Sequence, residues 1–440
     1  MIVMKFGGTS VGSAERIGTV LSIVKKHEAQ HPVVVISALS GVTDMLLKLA
    51  KDAITVNVSI EEIMKRHYEV MSELGLPKDI LNREFTDLRK ILNGIFLLKE
   101  VSPRTLDNIA SFGEIMSSKL IAAAGQKIVL NAVAHTSCDV GMITNDDFTK
   151  AEILPKAYEL LANSLIKMEE SNEIPIITGF IGKTESGDIT TLGRGGSDYS
   201  AAIIGAAVNA KEIQIWTDVD GVMTADPRIV KNARNVPIIS FDEASELAYF
   251  GAKVLHPKTI IPAMNKKIPV RVLNTQNPAH PGTLILSEVK NGNVGVKAIA
   301  SKKGVTVINI ASTRMFLAYG FLSEVFRIFK EQQVAVDMIA TSEVSISLTV
   351  DKDANIENIL KQIHAFAEIY ATFGTAIISV VGSGLRNHPG IAGKIFGVLG
   401  ENNINTYMIS QGASEINISF VVKESDADKA VQVLHDALFE

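Results

Sequence analysis

The chain has 440 residues, 47% of them apolar and 21% charged, a globular composition long enough for two or three domains with substantial cores. A formal net charge of −5 gives no electrostatic case for nucleic acid or an acidic membrane surface, and a single cysteine, Cys138, rules out an internal disulfide framework. No apolar run reaches membrane-spanning length, and Lys5 with Gly7 and Gly8 interrupts any signal-like start, so a cytoplasmic protein is expected.

Ile2–Phe6 reads as a strand that runs into Gly7 and Gly8, and Ser13 as the cap of a helix to residue 26 with Ile17, Val20, Leu21 and Val24 on one face. Residues 33–37 form a nearly all-apolar strand, the mark of a sheet covered on both sides. A polar turn through Ser40, Gly41 and Thr43 leads from it into another helix. Residues 44–100 read as mostly helical with a break at 75–78, and a helix over 105–124 carries Ser111-Phe112-Gly113-Glu114. Strands are expected at 127–130, 174–180 and 212–217. Between the last two lies Leu192-Gly193-Arg194-Gly195-Gly196-Ser197-Asp198; beyond them come Asp218-Val219-Asp220-Gly221 and Asp226-Pro227-Arg228. Ser240-Phe241-Asp242-Glu243 is a capping box opening a helix that carries Gly251 to Pro257. The alternation predicts an α/β fold, a mainly parallel sheet sandwiched by helices, with ligands at the carboxyl ends of its strands.

After a linker over 274–293 rich in Pro, Gly and Asn, an internal repeat of about 70 residues begins. Its first copy aligns 305–310, 320–329, 334–337 and 342–348 with 375–380, 390–399, 404–407 and 414–420 of the second. Each copy reads strand, helix, strand, strand and a closing amphipathic helix (355–370 and 426–438), a ferredoxin-like unit. Lacking clusters suited to catalysis, the pair reads as regulatory.

Both glycine turns carry a cation, Lys5 in one and Arg194 in the other. Glycines allow close backbone approach and the amides of a following helix attract anions, so two such cradles suit a phosphate chain and a second anionic substrate. Neither matches the G-x-x-x-x-G-K-[ST] loop, which points to a small-molecule phosphotransferase of another fold. His135 and Cys138 share a H-x-x-C spacing without the second pair a zinc site needs. Asp220 and Asp226 read as turn residues rather than metal ligands.

In their order along the chain, Lys5-Phe6-Gly7-Gly8-Thr9-Ser10-Val11, Ser111-Phe112-Gly113-Glu114, Thr191 to Asp198, Trp216-Thr217-Asp218-Val219, Asp226-Pro227-Arg228 and Gly251 to Pro257 resemble the motifs of the monofunctional aspartokinases. The repeats resemble the paired ACT domains of the lysine-sensitive type. This resemblance implies an amino-acid-kinase-type sandwich over 1–285, a first ACT domain over 304–370, and a second built from 294–303 and 371–440. It implies phosphorylation of L-aspartate by ATP to give 4-phospho-L-aspartate, the first step toward lysine, threonine and methionine. A carboxylate acceptor of pKa about 3.9 is already ionised at neutral pH, so no general base is required. Transfer then depends on positioning and on neutralising charge between two anions.

On this reading Lys5, beside the amides of Gly7 and Gly8, meets the transferring phosphoryl group. Arg194 grips an aspartate carboxylate with its planar fork, Thr43 adds a hydroxyl, and Glu114 and Asp198 accept from the ammonium. Phe6, Thr217, Asp218, Met223, Arg228, Lys253 and Val254 match positions around the nucleotide, Met223 standing where relatives often have tyrosine. The accompanying Mg²⁺ is expected to be held mainly by phosphates and water. The lysine match falls on Met315, Phe321, Leu322, Val336, Asp337, Ser342 and Glu343. There two carboxylates suit the two ammonium groups of lysine and apolar residues suit its stem. The second copy has Tyr407 where the first has Asp337, so it is expected to mediate a homodimer, or a dimer of dimers. Two alternatives stay open: another amino-acid or carbamate kinase of the same fold, and a non-catalytic ACT-type amino-acid sensor.

Overall fold

The structure, a computed structural model, describes residues 1–251, 257–289, 295–312, 319–385, 388–412 and 416–439. They fall in two compact units, one drawn from Met1–Val222, Pro237–Phe241 and Val254–Glu288, the other from Met223–Val236, Asp242–Lys253 and Val289–Glu440.

The chain opens with β1 (Ile2–Phe6), α1 (Ala14–Lys26), β2 (Pro32–Ile36), α2 (Val42–Asp52), α3 (Glu61–Glu73), α4 (Asn82–Leu98) and α5 (Pro103–Lys127). Next come β3 (Ala132–His135), α6 (Lys156–Glu170), β4 (Ile174–Thr178), the hairpin of β5 (Ile181–Lys183) with β6 (Ile189–Thr191), and α7 (Gly196–Ala207). Then follow β7 (Ile213–Thr217), β8 (Ile238–Ser240), α8 (Phe241–Tyr249), α9 (Pro257–Asn265), β9 (Val270–Asn274) and β10 (Thr283–Leu286). Among the described residues they form an eight-stranded sheet of order β3-β4-β2-β1-β7-β9-β10-β8, parallel at every pairing but β9–β10. β2 and β4 are buried along their whole length, as a sheet covered on both faces requires. Ile2, Met4 and Phe6 enter one core with residues of α1 to α5. Side chains alternate along a strand, so Lys5 is sent to the opposite face, where it meets Asp198 of α7.

Three expected elements shift. The apolar run after residue 127 is the turn that follows α5 rather than a strand: Val129 is exposed with a left-handed φ of 63°, and pairing begins only at Ala132. The supposed linker contains β10, whose Leu284 and Ile285 pair with β9 and β8. The helix opened by Ser240 ends at Tyr249, before Gly251 with its φ of 113°.

In the second unit β11 (Ala298–Ala311), α10 (Phe321–Glu331), β12 (Ile339–Thr341), β13 (Ser345–Asp351) and α11 (Glu357–His364) are followed by β14 (Glu368–Val381), α12 (Ile391–Glu401), β15 (Thr406–Ser410), β16 (Asn417–Lys423) and α13 (Ala427–Phe439). The strands join in one sheet, β12-β13-β11-β14-β16-β15. The two copies of the repeat share β11 and β14, which pair antiparallel along their lengths with a shift of register around Gly304. Residues 298–303 pair with 376–381, and 307–311 with 368–372. Tyr370, expected at the end of a helix, lies in β14 opposite Asn309, because α11 stops at His364. One core gathers Ile308, Ile310, Val325 and Ile328. Another gathers Ile299, Ile378, Phe420 and Leu434, and also buries Ala225 and Val230.

Candidate active site

At the carboxyl ends of β1, β2 and β7, where a parallel sheet of this kind presents its ligands, a cavity of about 930 Å³ opens. Its lining includes Lys5, Gly7, Gly8, Thr43, Glu114, Arg194, Asp198, Thr217 and Asp218. The glycine turn after β1 is tied to β7 by Gly7 N–H, which donates to Trp216 O at 3.2 Å. A Cβ on Gly8 would stand 2.9 Å from Ala38 O, so a side chain there would push apart the turns that follow β1 and β2. On the other wall Gly193 and Gly195 adopt left-handed φ values of 75° and 72°, which let the chain fold sharply from β6 into α7. Asp198 lies in the first turn of that helix.

Lys5 Nζ lies 2.6 Å from Asp198 Oδ1, with both side chains largely buried. A phosphoryl group reaching Lys5 and an ammonium reaching Asp198 would separate the pair while keeping each charge compensated. Glu114 is 3% exposed; its Oε1 accepts from Ala38 N at 3.2 Å, whereas Oε2 is buried without a hydrogen-bond partner among the described residues. Burial pushes its carboxyl up to about 8. A buried polar atom left unpaired is costly, so Oε2 marks a position for a polar ligand group, an N–H once the carboxyl is ionised. Arg194 is exposed and forms no ion pair among the described residues. At the exit of β7, Thr217 donates to Asp218 Oδ1 at 3.2 Å.

The other expected nucleotide residues are placed differently. Phe6 is fully buried and stacks on Trp216 with ring centroids 5.8 Å apart, so its side chain belongs to the core. Met223 is half-buried and Arg228 is exposed, closed on Asp226 at 2.6 Å; neither lines the cavity. Lys253 and Val254 lie outside the described residues. The cavity also takes in Asp107, Thr149, Phe180 and Thr191, which the motifs did not single out. One signal was available for Asp107: it stands seven residues before Glu114, two helical turns along the same face of α5.

In the second unit Asp337 is held by two partners. Its Oδ2 lies 2.7 Å from Lys302 Nζ and its Oδ1 accepts from the Tyr249 hydroxyl at 2.7 Å. Phe321 is half-buried, edge-on to Phe366 at 5.7 Å, and Leu322 is exposed. Val336 packs on the core of α10 and α11. Ser342 and Glu343 are exposed, the Ser342 hydroxyl bonded to that of Ser345 at 2.7 Å. Met315 lies outside the described residues. Tyr407 is exposed on β15.

Among the described residues no group of three His, Cys, Asp or Glu side chains could hold a metal ion. Asp220 accepts instead from Asn274 and Asn277, and His135 pairs with Glu173. No helix among them is long and apolar enough to cross a membrane.

Residues 1–274 match the amino acid kinase family, and residues 378–438 match an ACT domain. The chain is 42% identical to aspartokinase 2, chloroplastic, of Arabidopsis thaliana, covering all of this chain and 84% of that one. It is 36% identical to lysine-sensitive aspartokinase 3 of Escherichia coli, covering all of this chain and 99% of that one. Among solved structures, E. coli aspartokinase III in complex with aspartate and ADP (R-state) superposes over the full length of both chains with a TM-score of 0.85 at 34% identity. The same enzyme in complex with lysine and aspartate (T-state) gives 0.81 over the same coverage.

Proposed function

The chain belongs to the aspartokinases, within the amino acid kinase family, and from that premise we propose that it phosphorylates the side-chain carboxylate of L-aspartate with ATP, under feedback inhibition by lysine. What carries the assignment at the level of chemistry is the convergence of Lys5, Glu114, Arg194 and Asp198 on one cavity at the carboxyl ends of the strands. Two cations there suit two anionic partners, and two carboxylates suit an ammonium.

A carboxylate oxygen of aspartate attacks the γ-phosphorus, the bond from that phosphorus to the β–γ bridging oxygen breaks, and ADP leaves. No proton moves, because the acceptor is ionised at the start. Lys5 and the amides of Gly7 and Gly8 offset charge on the transferring group. Arg194, with Thr43, orients the substrate carboxylate; Glu114 Oε2 and Asp198 receive the ammonium. Thr217 and Asp218 line the cavity at the end proposed for the nucleotide; Phe6, Met223, Arg228, Lys253 and Val254 are assigned to the nucleotide by the aspartokinase motifs alone. Mg²⁺ would arrive with ATP and be held mainly by phosphates and water.

We assign residues 1–285 to catalysis, 304–370 to the lysine-sensing ACT domain, and 294–303 with 371–440 to the second, through which a cytoplasmic homodimer assembles. The effector set is Met315, Phe321, Leu322, Val336, Asp337, Ser342 and Glu343, and lysine acts by binding two conformational states unequally. The deciding experiment is hydroxamate trapping of the acyl phosphate with aspartate and ATP, with and without lysine and threonine. Hydroxamate formed only with aspartate, and suppressed by lysine, is the expected result; trapping with a different acceptor would overturn it.

A further inference from the structure

Asp107 lies one helical face along from Glu114 on α5, with Ala110 between them at the cavity wall. It is 2% exposed, and among the described residues no cation pairs with it. Instead its carboxylate is filled by three donors from outside the helix. Oδ2 accepts from Thr149 N at 2.8 Å and from Thr191 N at 2.9 Å, while Oδ1 accepts from Thr191 Oγ1 at 2.7 Å. Helix α5 needs none of these bonds for its own ladder, so they serve the segments that donate them.

Those segments carry the Arg194 turn. Thr191 closes β6 three residues before Arg194, and its carbonyl is also fixed, by Ala151 N at 2.9 Å. Thr149 holds a left-handed φ of 75°, unusual for a β-branched residue and sustained only where its surroundings over-determine it. The carbonyl of Thr149 stands 3.3 Å from where a Cβ on Gly193 would lie, so it backs the turn directly. The exposed Arg194 side chain has many rotamers of its own. Where its guanidinium can reach is therefore set by the backbone of residues 191–195, and that backbone is bolted to α5 through Asp107.

We propose that Asp107 is a positioning residue for the aspartate pocket, fixing the turn that presents Arg194 at a set distance from Glu114 on its own helix. The inference rests on the reading of Arg194 and Glu114 as substrate-binding groups. A substrate bearing a carboxylate and an ammonium needs its two receivers held at one spacing, and an ångström of drift between them costs affinity and productive orientation. In this role Asp107 acts through the two backbone N–H groups and the Thr191 hydroxyl that it holds.

The chemistry of the three bonds gives a test. In Asp107→Asn the amide oxygen can stand at Oδ2 and keep both backbone N–H donors, while its NH₂ faces the Thr191 hydroxyl, which turns to accept. Asp107→Ala strands both N–H groups. Thr191→Val keeps the shape of the side chain and removes one bond. Steady-state kinetics by hydroxamate trapping, with thermal melts to confirm folding, should show Asp107→Ala raising the aspartate KM about tenfold or more with the ATP KM within about twofold. Asp107→Asn should recover most of that loss, and Thr191→Val should fall between. Should Asp107→Ala fail to fold, the comparison of wild type, Asp107→Asn and Thr191→Val still decides. An unchanged aspartate KM in Thr191→Val and Asp107→Ala, equal rises for both substrates, or an Asn variant as impaired as Ala would each overturn the proposal. Arg194→Ala measured alongside separates the premises: if it leaves the aspartate KM unchanged, the pocket reading fails and this inference with it. If it raises that KM and the Asp107 and Thr191 variants do not, the positioning role alone fails.

Discussion

Glu114→Gln should stabilise the protein at alkaline pH while weakening aspartate binding, because one buried carboxylate governs both. Burial pushes its pKa from 4.5 up to about 8. Below pH 4.5 the group is protonated whether the chain is folded or not, and it contributes nothing. Between 4.5 and about 8 the unfolded chain sheds the proton and the folded chain keeps it, so stability falls as pH rises; above about 8 the full penalty is present. At about 1.4 kcal/mol per pH unit the penalty is at most about 5 kcal/mol, an upper limit because relaxation and water entry soften burial. Glutamine has the shape of the protonated acid and no such slope. Its thermal midpoint should therefore gain on wild type by several degrees between about pH 5 and pH 8.5. Aspartate binding runs the other way, since the ammonium needs the ionised form. The wild-type aspartate KM should fall about tenfold from pH 6 to pH 7 and level off above pH 8, with the Gln variant flat and higher at the alkaline end. A melting difference that is the same at both pH values would refute the burial argument. A pH-dependent difference with an unchanged aspartate KM would remove Glu114 from ammonium recognition.

Lys5→Met should lower kcat about 10²–10³-fold, the worth of one preorganised donor to developing charge, and a variant with nearly wild-type kcat in hydroxamate assays would sink that role. Because Asp198 is the present partner of Lys5, the variant also leaves that carboxylate largely buried and unpaired, so its melting midpoint should drop. Arg194→Ala should raise the aspartate KM far more than the ATP KM; equal effects would move it out of the aspartate pocket. Asp337→Ala should abolish most inhibition by millimolar lysine, read as hydroxamate yield across a lysine titration, and undiminished inhibition would defeat the effector assignment. Since that change also strips Lys302 and Tyr249 of a shared acceptor, a melt should accompany it.

What the sequence made legible is what depends on neighbours along the chain. The glycine turns after β1 and before α7, the all-apolar β2 and the repeat that becomes β11 to α13 follow from local spacing and periodicity. The placement of Lys5 opposite Ile2, Met4 and Phe6 follows from strand alternation alone. Asp107 was not legible in the same way, for its donors are 42 and 84 residues distant and two of them are main-chain groups that no side-chain pattern encodes. Nor was the fate of 223–236, where Ala225 and Val230 look like ordinary turn-flanking residues until they are buried with Ile299 and Leu434. The start of β14 was hidden because the alternation over 368–372, exposed and half-buried by turns, follows directly on the amphipathic run of α11; its register is set by pairing with β11.

Trp216 is the single tryptophan of the chain. Its ring is stacked on Phe6, its indole N–H donates to Gln214 Oε1 at 3.0 Å, and its carbonyl accepts from Gly7 at the floor of the cavity. The protein therefore contains its own optical probe, placed by the fold one residue from Thr217 and free of competing indole emission. Because the ring is fixed by stacking and by a hydrogen bond, its emission is set by the packing of β1 against β7 rather than by solvent. Any ligand that shifts the glycine turn changes that packing. Equilibrium binding at the cavity becomes measurable on the unlabelled wild-type chain, without turnover and separately for each substrate.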